Sequence, residues 1–399
     1  MAKRTVLFLG AGASRPLGFP VTDGILPGIW EGLQGKAWRK WPGLRTRRDQ
    51  QRLRDELVQL LQVLLPGLAT GPATVAGASI VDVISLLDQL ILEGRSPHPS
   101  VRDEQLLRGR ILLQLGINAV LRGGRLKAVR NRLVEWAFHQ VVHDRDSRLT
   151  IISTNYDTAV EQRLFGRLIK LHRSIGRNVD FGISWRDPFR NLLHVRPRAA
   201  RLAVFKLHGS LNWLRCESCG HVTINVQQRV ASLEFWNRRR QRKRGIRDYN
   251  RCRCAGRLRS VMVTPSVVRD VRDANLLSIW NAAMEDLRRA SEWILIGYSL
   301  PSEDIAIRSL LLRAYHTRSR QKGLRIRVVQ LEPQSENGER AAEYRRYRMF
   351  FPVQHLREGD YERGGLEPFV NGLHISASEV PSRSLRSAFP HVPRSELAR

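Results

Sequence analysis

Apolar residues along this chain follow two rhythms. Short, mostly apolar runs stand at Val6–Leu9, Leu149–Ile152, Ala203–Leu207, Val261–Val263, Trp293–Ile296 and Ile326–Leu331. Runs of that length are what strands buried on both faces look like. Elsewhere the apolar positions recur with helical spacing. Ile80, Val83, Ile84, Leu87 and Ile91 share one face of a predicted helix, with Ser79 and Asp82 at its start. Segments 104–121 and 126–142 repeat that pattern, as does "SEDIAIRSLLLRAY" after Pro301, and Thr22 or Asp23 caps a short helix reaching about Leu33. These stripes read as core. Short strands alternating with amphipathic helices predict an α/β fold, a parallel sheet with helices on both faces. The helical stretch over 34–145 is expected as an insertion in it.

A sheet of this kind binds ligands at the carboxyl ends of its strands. The polar clusters of this sequence fall there. Gly10-Ala11-Gly12-Ala13-Ser14 follows the first run, Ser153-Thr154-Asn155-Tyr156-Asp157 the second, and His208-Gly209-Ser210 the third. Gly297-Tyr298-Ser299 follows Trp293–Ile296, and Glu332 follows the last. Taken singly, each has a structural explanation: a tight turn at Gly10 and Gly12, a helix cap at Asn155 or Asp157, a satisfied turn histidine at His208. Taken together at one rim, they predict a site. The opening run suggests a phosphate-binding turn, yet Arg15 stands where a dehydrogenase places its third glycine. Nor does a second strand ending in a carboxylate follow about 20 residues later. Hydride transfer is a poor reading.

Composition adds a partner question. The chain has 399 residues, 42% of them hydrophobic, and a formal net charge of +30. Of its 67 basic residues only eight are lysine. Such a surface attracts polyanions, so nucleic acid is a candidate partner, directly or through another protein; a coding bias toward arginine explains the same skew. The tightest basic run is Arg238–Arg244. No apolar stretch approaches the roughly 18–20 residues of a membrane span, and a soluble, cytoplasmic protein is expected. All four cysteines lie in one region, as Cys216-Glu-Ser-Cys219 and Cys252-Arg-Cys254. Four thiolates so spaced suit a closed tetrahedral zinc site of structural type, with His221 as a substitute ligand and free buried thiols as the alternative. That predicts a small zinc-ribbon module over about 214–258. The Ser-, Pro- and Arg-rich segment 376–399 reads as a tail beyond a domain covering 1–375.

The motifs "GAGAS…GFP", "STNYD", "KLHGSLNW" followed by C-x-x-C, and "LIGYSLPSED" occur here in the order found in sirtuin-like domains. More particularly, the sequence resembles the divergent bacterial branch, many of whose members cleave NAD in anti-phage defence. The resemblance runs from Val6 to about Pro333. It implies a modified Rossmann fold, with NAD as substrate. It places Gly10, Ala11, Gly12 and Ser14 at the dinucleotide, Asn155 beside the nicotinamide ribose, Asp157 on the carboxamide and His208 as the catalytic base near the ribose hydroxyls. Gly297 and Ser299 would hold the phosphate and adenosine side, and Glu332 the adenosine ribose.

Two features of the deacetylating members are missing. An aspartate-phenylalanine-arginine follows their early proline, where this chain has Val21-Thr22-Asp23-Gly24 after Pro20. Their peptide-clasping phenylalanine-glycine-glutamate loop is replaced by Thr264-Pro265-Ser266-Val267-Val268. The expected activity is therefore NAD glycohydrolysis, gated by oligomerisation or by a regulatory protein. The alternatives are an NAD-dependent protein deacylase and a non-catalytic NAD-binding module attached to a nucleic-acid machine.

Overall fold

The computed structural model describes residues 4–34, 46–67, 78–99, 101–121, 133, 136–137, 147–159, 161, 164–165, 175–188, 192–226, 251–263, 273–318, 323–332 and 342–372. The 126–142 helix lies mostly outside them, and the 238–244 basic run, the 264–268 segment and the 376–399 tail entirely so.

The chain opens with strand β1 (Arg4–Leu9), then a 3-10 turn over Ala11–Leu17. Helices α1 (Ile25–Gln34), α2 (Arg47–Leu64), α3 (Ile80–Glu93) and α4 (Asp103–Val120) follow. Next come β2 (Arg148–Ser153), β3 (Val179–Asp180), β4 (Trp185–Arg186), β5 (Leu193–His194), β6 (Leu202–Lys206), β7 (Gly209–Cys216), β8 (Val222–Ile224) and β9 (Leu258–Met262). The last part holds α5 (Ala274–Arg289), β10 (Glu292–Ile296), α6 (Ile305–His316), β11 (Arg325–Val329), α7 (Ala342–Phe350), β12 (Tyr361–Glu362) and α8 (Leu366–Asn371).

Seven strands form one sheet in the order β12-β11-β10-β1-β2-β6-β3, and every neighbouring pair is parallel. In β1, β2, β6 and β10 successive side chains, which point to opposite faces, are nearly all buried. Both faces of the sheet are covered, which is why these strands read as unbroken apolar runs. The chain walks outward from β1 through β2 to β6, then returns to the other side of β1 for β10 and β11. The order therefore reverses between β1 and β10.

The second sheet, β5-β4-β8-β7-β9, is smaller and mostly antiparallel. It corrects one expectation. Val261 and Met262 belong to β9 in this sheet, paired with β7, not to the parallel one. A short apolar run is the same signal in either setting, so periodicity alone does not separate them.

Helix α1 and the three insertion helices α2–α4 share a second core with Leu17, Phe19, Tyr156, Leu211 and Met262. That core joins the helices to both sheets. Gln114 Nε2 on α4 donates to Ser260 Oγ on β9 (2.9 Å), and Asn118 Nδ2 lies 3.5 Å from Met262 Sδ. Ser79 Oγ caps α3 by accepting from the Val81 N–H at 3.1 Å. No described helix is long and apolar enough to cross a membrane.

Ile84 is fully buried in the helical core, whereas Leu92 on the same helix is 63% exposed. Ile84→Ala should lower unfolding free energy by about 2–5 kcal/mol, and Leu92→Ala by less than about 0.5 kcal/mol. Denaturant titration of the two variants checks this.

Candidate functional site

The parallel ladder runs one rung past the strands themselves. Gly297 N–H donates to Val329 O (2.8 Å), Gly10 N–H to Ile296 O (2.9 Å), Thr154 N–H to Leu9 O (3.1 Å) and Leu207 N–H to Ser153 O (3.0 Å). Four loops thus start from one row of strand ends. At the reversal point two of them cross closely. Gly12 N–H donates to Gly297 O at 2.8 Å. A Cβ on Gly10 would meet Gly297 O at 2.5 Å, and one on Gly12 would meet Gly297 Cα at 2.8 Å. Gly297 has φ +61°, and its Cβ would fall 2.0 Å from Ala13 N. These glycines are required by backbone crossing backbone. The Gly10 and Gly12 amides are already spent on that crossing.

Asn155 sits directly over the turn. Its Nδ2 donates to Gly10 O (2.7 Å) and to Ser14 Oγ (3.1 Å). A carbonyl only accepts, so the amide orientation is fixed and Oδ1 is the atom Asn155 can offer to a ligand. Ser14 Oγ donates onward to Asp157 Oδ2 (2.7 Å), and Asp157 Oδ1 accepts from Ala159 N–H (2.9 Å). Beneath them Lys206 Nζ donates to Asp157 O (2.6 Å) and lies 2.6 Å from Glu161 Oε1. Lys206 and Glu161 are both buried. Burial raises the Glu161 carboxyl above its ordinary value; Lys206 pulls it down and the Asp157 charge pushes it up.

His208 stands where the chain leaves one sheet for the other. Gly209 beside it has φ +77°, and a Cβ there would meet Val261 O at 1.9 Å. His208 Nδ1 is 3.1 Å from Thr154 O. That oxygen accepts, so Nδ1 carries hydrogen and Nε2 is the basic nitrogen of the neutral ring. Trp280, whose Nε1 donates to Leu207 O at 2.9 Å, flanks the imidazole on one side and Tyr156 on another, each ring centroid 6.4 Å away.

A cavity of about 730 Å³ opens over this rim, within the usual size range of small-molecule sites. Ala11, Gly12, Ser14, Asn155, Asp157, His208, Gly297 and Ser299 all line it. Gly10 lies beneath, as acceptor for Asn155. Glu332 is not among the lining residues: it accepts from the Tyr361 hydroxyl and lies 3.8 Å from Arg363 Nε. The strand read as Ile326–Leu331 ends at Val329, and Leu331 turns away to bridge Gly364. Gln330 takes the rim position instead, its Nε2 donating to Tyr298 O. Sequence reasoning also missed Ser79, Val81 and Leu121, by which the helical layer walls the cavity, and Glu343 and Gly364–Glu367 beyond β11. The Gln330 position follows from counting strand ends. The others are brought in by tertiary packing.

No protein-family model matches the chain, and no curated protein does. Among solved structures, the chain is similar to Sir2 homologues. One is a serine-to-alanine mutant of a Sir2 homologue in complex with ADP-ribose, at 14% identity and a TM-score of 0.35, covering 97% of this chain and 92% of that one. A second is a Sir2 homologue–NAD complex, at 16% and 0.35, covering 93% and 89%. A third is Sir2Tm bound to a propionylated peptide, at 14% and 0.37, covering 92% and 90%. At these values the likeness assigns no role to any residue.

The cysteines converge away from the cavity. Cys216 ends β7, Cys219 lies in the hairpin to β8, and Cys252 and Cys254 sit in a turn closed by Cys252 N–H donating to Gly256 O at 2.8 Å. All four Sγ atoms lie within 4.8 Å of one another, with Cys216–Cys254 at 3.4 Å and Cys219–Cys252 at 3.6 Å. Four sulfurs around a zinc at about 2.3 Å stand roughly 3.8 Å apart, so the set fits a tetrahedral ion. The short C-x-C spacing is accommodated by Gly256, where a Cβ would meet Cys216 Sγ at 2.6 Å. Burial opposes a thiolate at Cys216, but the Cys219 and Ser218 amides and the neighbouring thiols bring it down to about 7. Four protein ligands leave no open position, so such an ion is structural.

Gly297→Ala combines a left-handed φ with a backbone clash and should cost about 2 kcal/mol or more, read as a lowered Tm with intact secondary structure. Elemental analysis of the purified protein should give one zinc per chain. Cys216→Ser should lose the zinc and lower the Tm, with no change expected from the serine's size alone.

Proposed function

We propose that this protein cleaves NAD at the nicotinamide–ribose bond and transfers the ribose to water, giving nicotinamide and ADP-ribose. The observation that carries this reading is the convergence of Asn155, Asp157 and His208 on one cavity at the reversal point of a parallel sheet, the place where such sheets take nucleotides. In the reaction the C1′–N bond breaks with both electrons going to the pyridinium nitrogen, which becomes neutral, so the leaving group needs no acid. What it needs is a held carboxamide and a stabilised oxocarbenium-like ribose, as in glycoside hydrolysis. Asp157 keeps unused lone pairs beside its bonds to Ser14 and Ala159 and can accept from the carboxamide. Asn155 Oδ1 orients a water or a ribose hydroxyl. The water oxygen bonds to C1′, and its proton passes to His208 Nε2, directly or through that hydroxyl.

Water is favoured over an acylated peptide as acceptor by the sequence Thr264-Pro265-Ser266-Val267-Val268, which stands where the deacetylating members of the family this chain resembles carry their peptide-clasping loop. An unregulated activity of this kind drains a cell's NAD. Gating by oligomerisation or a partner follows, and fits the anti-phage role of the sirtuin-like proteins the motifs resemble.

Asn155→Ala and His208→Ala should each reduce nicotinamide release by about 10²–10⁴-fold in a protein that still folds, with the Tm lowered only by the hydrogen bonds each side chain makes. The assay is run alone, with phage lysate, with nucleic acid and with acylated peptide. Release only with the peptide establishes a deacylase. Tight NAD binding without release under every condition establishes a binding module. Undiminished NAD loss in the double variant ends the proposal.

A further inference from the structure

In the turn after β1, three backbone donors are already engaged. The Gly10 and Gly12 amides are bonded to Ile296 O and Gly297 O, and the Ala13 amide to Gly10 O (3.0 Å). The cavity above is also acidic. Among the described residues lining it, six carry carboxylates: Asp23, Asp157, Glu303, Asp304, Glu343 and Glu367. Only one carries a permanent positive charge, Arg15. A dinucleotide brings a diphosphate anion into this space. With like charges around it and the Gly10, Gly12 and Ala13 amides occupied, Arg15 is the permanent counter-charge that the described lining residues offer that anion.

Arg15 is available for the task. It follows Ser14, the hydroxyl that links Asn155 to Asp157, so it stands at the same rim. It is exposed and makes no side-chain hydrogen bond or ion pair among the described residues, although many arginines of this chain are paired with carboxylates. Its backbone is fixed: Arg15 O accepts from Gly18 N–H (2.9 Å), and Pro16 follows it. The guanidinium offers a planar fork of donors matched to phosphate oxygens.

We propose that Arg15 is the diphosphate-binding residue of this site, replacing by side-chain charge the amides that the glycine crossing consumes. The proposal rests on the NAD-cleaving reading for its ligand but not on cleavage itself. The residue that breaks the dehydrogenase pattern thereby gains a function. The overall +30 charge draws anions toward the molecule; Arg15 is where that attraction enters an otherwise acidic cavity.

The test is calorimetric binding of ADP-ribose and of adenosine, which lacks phosphate, to the full chain and to its Arg15→Gln and Arg15→Lys variants. Arg15→Gln should weaken ADP-ribose about 10- to 100-fold and leave adenosine within about twofold. Arg15→Lys should recover part of the loss. In wild type the ADP-ribose affinity should fall with added salt more steeply than in Arg15→Gln. Equal binding of ADP-ribose by wild type and Arg15→Gln overturns the proposal and leaves the NAD-cleaving reading standing. An equal loss for adenosine overturns it too, since that marks a structural role. Failure of the wild type to bind ADP-ribose overturns both.

Discussion

The site depends on the register of a parallel hydrogen-bond ladder. Leu9 is level with Ile296 on one side and Ser153 on the other, Ser153 with Lys206, and Ile296 with Val329. Because parallel strands end on the same side, this register delivers the loops after β1, β2, β6, β10 and β11 to one edge. The next rung then fixes where each loop begins. A shift of one residue in any strand would turn its terminal side chain to the opposite face. Asn155 and His208 are brought together by that ladder, not by a local motif.

The glycine crossing and the polar chain above it are two parts of one arrangement. With no Cβ at 10, 12 or 297, the β1 and β10 turns lie in backbone contact, and the Gly10 carbonyl faces upward to receive Asn155. From there hydrogen bonds pass through Ser14 to Asp157, and the Asp157 carbonyl rests on Lys206. A buried pair such as Lys206–Glu161 contributes little net stability, because desolvation offsets its attraction. Its consequence here is geometric: it pins the backbone that carries Asp157. Removing either partner would leave a buried charge alone, a far larger cost than keeping both.

Much of this was legible in the chain before its structure. Five of the six apolar runs are strands of the parallel sheet, and helices 80–93, 103–120 and 305–316 follow their stripes. Buried strands and amphipathic helices carry their burial pattern locally, so they can be read. Three things could not. Val261–Met262 pairs in a different sheet because apolar runs do not encode their partners. Glu332 misses the rim because the strand stops at Val329 and Leu331 bridges Gly364, a tertiary event. The wall formed by Ser79, Val81 and Leu121 depends on how the helical layer docks, and its core residues were visible without their destination.

That docking ties the cavity to the helical layer. Helices α1–α4 share their core with Tyr156, which lies between Asn155 and Asp157, and with Leu211 and Met262 of the second sheet. The Tyr156 hydroxyl donates to Val263 O, joining the loop after β2 to the end of β9. One apolar cluster thus touches the loop bearing Asn155 and Asp157, the second sheet and the insertion at once. A partner that moved the helical layer would move the cavity wall and strain the Tyr156 loop together, because a close-packed core transmits displacement instead of absorbing it. Under the NAD-cleaving function proposed above, gating would need a coupling of this kind between the helical layer and the reacting groups. The second core supplies it through direct contact, without any change in the ladder that holds the site.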